Sequence, residues 1–180
     1  MSSNARRHLR HEALVGGLSN TLFNGLIAWL LLRSGPSLRW GGDHSFVIDI
    51  FATALLLPLI VALIVIPLQR SKMRKGRLQA LDLGPDSALQ RCADRFPHST
   101  IASALLFGLL GCLLIAPLTL AGFYLLGIEQ VSPTAYAIFK GIWAGAMAAA
   151  LVIPMVLVAL RDEASSPRQK KEVDHAITTE

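Results

Sequence analysis

Long apolar runs separated by short polar stretches set the pattern of this 180-residue chain. The runs fall at about 13–32, 46–68, 101–126 and 135–160. Each has the ~20 residues that carry an α-helix across a ~30 Å hydrocarbon layer. The runs are continuous rather than built of ~10-residue alternating segments, which argues against a transmembrane β-barrel. Helix also closes every backbone hydrogen bond within the segment, as lipid requires. The pattern therefore predicts an all-α membrane protein with four transmembrane helices in two hairpins, over 13–68 and 101–160. A polar N-terminus (1–12), a loop (69–100) and a polar tail (161–180) complete the chain, and the tail's composition predicts disorder. Within the loop, Pro85-Asp86-Ser87 reads as a helix start, with Leu89, Cys92, Ala93 and Phe96 as the apolar stripe of a helix lying on the membrane surface. The first run is too long for the 7–15-residue core of a signal peptide, and Arg33-Ser34-Gly35-Pro36 does not resemble a cleavage site.

Composition strengthens this picture. Hydrophobic residues make up 53% of the chain and charged ones only 16%, against about 25% charged in ordinary soluble domains. Mean hydropathy is +0.51. The net charge of +5 does not point to nucleic acid, because its placement is explained by topology. The N-terminus, the 69–100 loop and the tail hold 14 of the 17 Lys and Arg residues, whereas the other two loops hold only Arg33 and Arg39. By the positive-inside rule both termini are cytoplasmic. Trp40 fits an anchor at the outer interface. Cys92 and Cys112 fall in the inner loop and within the third helix, and no disulfide is predicted.

Small residues mark where membrane helices pack. Ala13, Gly17, Thr21 and Gly25 recur every fourth position in helix 1, as do Ala104, Gly108, Cys112 and Ala116 in helix 3 and Gly141, Gly145 and Ala149 in helix 4. Helix 2 lacks a comparable stripe and is predicted to face lipid more. Such stripes serve a tight bundle or a contact with a second copy. Pro58, Pro117 and Pro154 fall inside helices and are candidate kinks. A shift of 87 residues lays Pro67 on Pro154 and Ala62 on Ala149, as a parallel internal repeat would.

Two ionisable residues fall within the runs, Asp49 and Lys140. At 1.5 Å per residue they lie about 5 and 8 Å below the same, outer surface, and an ion pair between them is the sharpest structural expectation. Asn20 and Asn24 share a face of helix 1, where they serve either as interhelical glue or, with Thr53, as steps in a polar path leading in from Asp49 and Lys140. Asp43, His44 and Glu129 lie on outer loops, but their spacing specifies no metal site, and no metal or cofactor is predicted. No H-E-x-x-H, G-x-S-x-G, P-loop or C-x-x-C occurs, so an enzyme is not predicted.

Phe23-Asn24-Gly25-Leu26-Ile27-Ala28-Trp29, Pro58, Pro67-Leu68-Gln69-Arg70, Lys75-Gly76-Arg77, Ile138-Phe139-Lys140-Gly141 and Pro154 together resemble a group of small bacterial four-helix inner-membrane proteins, uncharacterised in activity and some labelled permease-like. The resemblance spans most of 12–162 and implies a bacterial inner membrane, with no activity carried over to any residue. The leading expectation is a permease-like or channel-like protein with a polar path on the outer side. The alternative is a non-transporting subunit that stabilises another membrane protein or complex, with the 70–77 basic cluster and helix 2 as its binding surfaces. A membrane enzyme or lipid-handling protein is the third. The partners expected are the lipid bilayer and either a second copy or another membrane protein.

Overall fold

The computed structural model describes residues 3–76, 91 and 93–160. In chain order they form α1 (Ser3–Leu32), β1 (Leu38–Arg39), α2 (Phe46–Arg74), α3 (Thr100–Leu110), a π-helical segment (Gly111–Ile115), α4 (Ala116–Leu125), β2 (Gln130–Val131) and α5 (Pro133–Ala159). Four stretches are long and apolar enough to span a membrane: Arg7–Leu32, Phe46–Arg74, Thr100–Leu125 and Pro133–Ala159. The chain is thus a multi-pass α-helical membrane protein. α1 and α2 run past the apolar runs into the basic flanks, because charged side chains leave the helical backbone bonds intact. Ser99 and Ser132 cap α3 and α5, accepting hydrogen bonds from the backbone N–H of Ala102 and Ala135.

The outer helix of each hairpin packs on the second helix of the other. α2 and α5 form the central pair, α1 lies along α5, and α3 lies along α2. Ala54 and Pro58, which Gly111 of the π segment meets, stand 87 positions before Gly141 and Gly145, which α1 meets at Gly17, Thr21 and Gly25. The connections also meet: Leu38 pairs with Val131 and Arg39 with Gln130 in a two-residue antiparallel ribbon. The same 87-residue offset thus relates residues at two helix contacts, and α2 and α5 face each other at the centre of the bundle.

Each close approach has a glycine at its centre. A Cβ on Gly141 would stand 2.9 Å from the Thr21 carbonyl oxygen, and one on Gly17 would stand 3.2 Å from that of Gly145. A Cβ on Gly108 would stand 2.8 Å from the Leu55 carbonyl oxygen, and one on Gly111 would collide with that of Ala54. The π segment explains why Gly111 can come so near. Pro117 has no N–H to give the Leu113 carbonyl, and its ring crowds that oxygen. The ladder widens just before it, and the Ala116 N–H bonds the Gly111 carbonyl instead.

One expectation needs correction. α2 is not the helix most turned to lipid: 11% of the apolar window of α1 is buried, against 33% for α2. Phe46, Ile50, Ala54, Pro58, Ala62 and Ile66, spaced four apart, form a buried stripe on α2. Its bulky ends hide the small Ala54-Pro58-Ala62 centre. Trp40 is half-buried, donates from Nε1 to the Ile128 carbonyl (2.8 Å), and meets Phe46 edge-on, joining the two loops.

The start of the expected surface helix, at 85–90, lies outside the described residues, as do Cys92 and the 161–180 tail. The described part of its stripe turns inward. Ala93 is buried, and Phe96 stacks on Phe107 at 4.7 Å beside Ala62, Ile66 and Met155.

Candidate functional site

α2 and α5 each bring polar residues to the loop end of the bundle. Asp49 lies in the first turn of α2, where the helix dipole favours a carboxylate. Tyr136 and Lys140 are one turn apart on α5. Lys140 Nζ donates to both oxygens of Asp49, at 2.6 and 2.7 Å, and the Tyr136 hydroxyl donates to Oδ2 at 2.6 Å. Lys140 is 14% exposed and Asp49 36%. The expected ion pair is thus present, and Tyr136 completes it. In sequence Tyr136 reads as an apolar aromatic, but it stands at Asp49 plus 87 and faces Asp49 from α5.

The pair borders a chamber of about 150 Å³. Ile27, Ala28, Leu31, Leu32 and Leu38 form its apolar wall. Asp43 and His44 belong both to this chamber and to a vestibule of about 390 Å³ that also includes Arg39 and Gln130. Asp43 and His44 thus act at the boundary between the two spaces. Among the described residues no group of three His, Cys, Asp or Glu side chains could hold a metal ion.

The other expected path residues do not join the hydrogen bonds of the pair. Thr53 is half-buried one turn along α2 from Asp49. The Asn20 side-chain amide donates to the Gly16 carbonyl (2.8 Å), and that of Asn24 to the Asn20 carbonyl (3.1 Å). Both amides thus bond their own helix, so the interhelical glue expected of them is not formed. A carbonyl four residues back is always within reach, and it satisfies the amide without a neighbouring helix.

A second polar cluster, missed in the sequence, joins α1 to α2 at the terminal end. His8 Nε2 donates to Oε1 of the fully buried Gln69 (3.1 Å), and Lys72 donates to Glu12 (2.9 Å). Asp49 and Gln69 are 20 residues apart on α2, about 30 Å of helix. The two clusters therefore bracket one hydrocarbon thickness. On α1, His8, Glu12, Gly16, Asn20, Asn24 and Ala28 recur every fourth residue. This row touches α2 at its terminal end and borders the chamber at its loop end. The four-residue spacing was the signal that could have found it. Glu12 and Lys72 are 17% and 32% exposed, so Glu12→Gln is expected to lower unfolding free energy in mild detergent by less than about 1 kcal/mol. A larger loss would mean that this pair holds the helices together.

Fold and site together define a multi-pass membrane protein with a charged cluster between α2 and α5. Comparison with protein-family models, curated proteins and solved structures finds no match.

Proposed function

We propose that this chain is a permease-like carrier of a bacterial inner membrane, with both termini cytoplasmic and the Asp49–Lys140 cluster as its solute site, open to the outside. One observation carries the reading: an ion pair at membrane depth borders a chamber that adjoins a polar vestibule. Ionised groups there are costly and are kept where something passes or binds. Its place between α2 and α5, the second helices of the two hairpins, fits a parallel repeat, and repeat interfaces are where such carriers hold their solutes. The 14-to-2 distribution of basic residues supports the orientation.

The test is solute flux in proteoliposomes. Asp49→Asn and Lys140→Met are each expected to reduce uptake at least tenfold while the protein still inserts and elutes as a single species. Unchanged flux in both variants would overturn the proposal. Recovery in mild detergent of a second membrane protein, lost on neutralising the 70–77 basic cluster, would favour the subunit reading instead.

A further inference from the structure

We infer that the chamber takes a small zwitterion carrying an apolar group, so that the solute's own charges replace the Asp49–Lys140 pair. This rests on the proposal that the pair is a solute site, and it names the class of solute.

Charge balance narrows the class of solute. Asp49 and Lys140 sum to zero, Tyr136 adds no charge, and Asp43 at the chamber's boundary shares the vestibule with Arg39 of opposite charge. A bound anion would have to share Lys140 with Asp49 and leave one negative charge uncompensated in a confined space. A cation at Asp49 would leave Lys140 in the same position, and Lys140 is 14% exposed with Asp49 as its one hydrogen-bond partner among the described residues. A zwitterion avoids both outcomes. Its ammonium takes the place of Lys140 Nζ at the carboxylate, and its own carboxylate takes the place of Asp49 at the lysine. Two contacts replace one pair, and net charge stays at zero. The Tyr136 hydroxyl, at 2.6 Å from Oδ2, holds the Asp49 carboxylate in place while Lys140 turns away.

The walls fit the rest of the molecule. Ile27, Ala28, Leu31, Leu32 and Leu38 present a hydrocarbon surface to the same space. A purely polar solute would gain nothing from it, whereas a short aliphatic or methylated group would. The volume of about 150 Å³ sets the scale, since a cavity of ~150 Å³ accepts a ring of benzene size. The vestibule carries both signs of charge, Arg39 and Asp43, so it does not select a net anion or cation on the way in.

The test uses the full chain in mild detergent and radiolabelled probes in equilibrium binding. The zwitterions are L-alanine, L-valine and glycine betaine. L-valinamide supplies the matched cation and isovalerate the matched anion. At least one zwitterion is expected to bind saturably, at least tenfold tighter than either charged analogue. Lys140→Met is expected to move the preference toward L-valinamide, and Asp49→Asn toward isovalerate, a swap that a merely structural pair would not give. Should either variant fail to elute as a single species, the wild-type order of affinities decides alone. Failure of all three zwitterions to bind, or equal binding of a charged analogue, would overturn the inference. Saturable zwitterion binding without flux would uphold this site and overturn the carrier reading. Flux of another solute without zwitterion binding would do the reverse.

Discussion

Gly145→Ala and Gly122→Ala are expected to move stability in opposite directions, although each adds one methyl to a helical glycine. At Gly145 the new Cβ would run into the Thr21 hydroxyl and stand 2.8 Å from the Gly17 carbonyl oxygen. Thr21 could turn its side chain, but the Gly17 backbone cannot yield without moving α1. That helix depends on this contact, because its close packing is almost entirely against α5. Overpacking of this kind costs about 1–3 kcal/mol, and Gly145→Val is expected to cost more. At Gly122 nothing lies within 4 Å of the added Cβ. Removing backbone freedom there is expected to stabilise by about 0.5–1 kcal/mol. Unfolding free energy in mild detergent reads both. Loss of stability at both positions, or at neither, would mean that α1 does not approach α5 through these backbones.

These glycines show what the sequence made legible and why. A backbone-to-backbone approach permits only small side chains, so the stripes of Gly17, Gly25, Gly108, Gly141 and Gly145 are written directly in composition. Depth is legible for a similar reason, since counting residues from a helix end places Asp49 and Lys140 at one level. Azimuth is not. Hydropathy is nearly uniform around a membrane helix, because lipid and protein interior are both apolar. Composition alone therefore turns α2 toward lipid, although α3 and α5 cover its stripe from Phe46 to Ile66. The four-residue spacing puts His8 and Glu12 on one face of α1, but their partners Gln69 and Lys72 lie about 60 positions away, and no local pattern names them. Tyr136 was hidden by its own chemistry, since a phenol is hydrophobic in composition and polar only at its tip. The 87-residue offset contains that contact, but only once the two halves are known to face each other.

Breaking the ion pair from its two sides is expected to give unequal losses. Asp49→Leu leaves Lys140, 14% exposed, with no acceptor, and about 3 kcal/mol of stability is expected to go with it. Lys140→Met leaves Asp49 more than twice as exposed and still bonded to the Tyr136 hydroxyl, so the loss is expected to be nearer 1 kcal/mol. The double variant Asp49→Leu/Lys140→Met leaves no stranded charge but strips the Tyr136 hydroxyl of its acceptor, which costs about 1–3 kcal/mol where the hydroxyl stays buried. Adding Tyr136→Phe removes that last group. Replacing a buried ion pair and its partner together by apolar residues is often neutral or stabilising, so the triple variant is expected to match the wild type in unfolding free energy. Additive losses across the series would mean that the three residues do not act as one cluster. The triple variant also separates stability from function: a protein as stable as the wild type that no longer moves solute keeps Asp49, Tyr136 and Lys140 for what they bind, and one that still moves it keeps them for another reason.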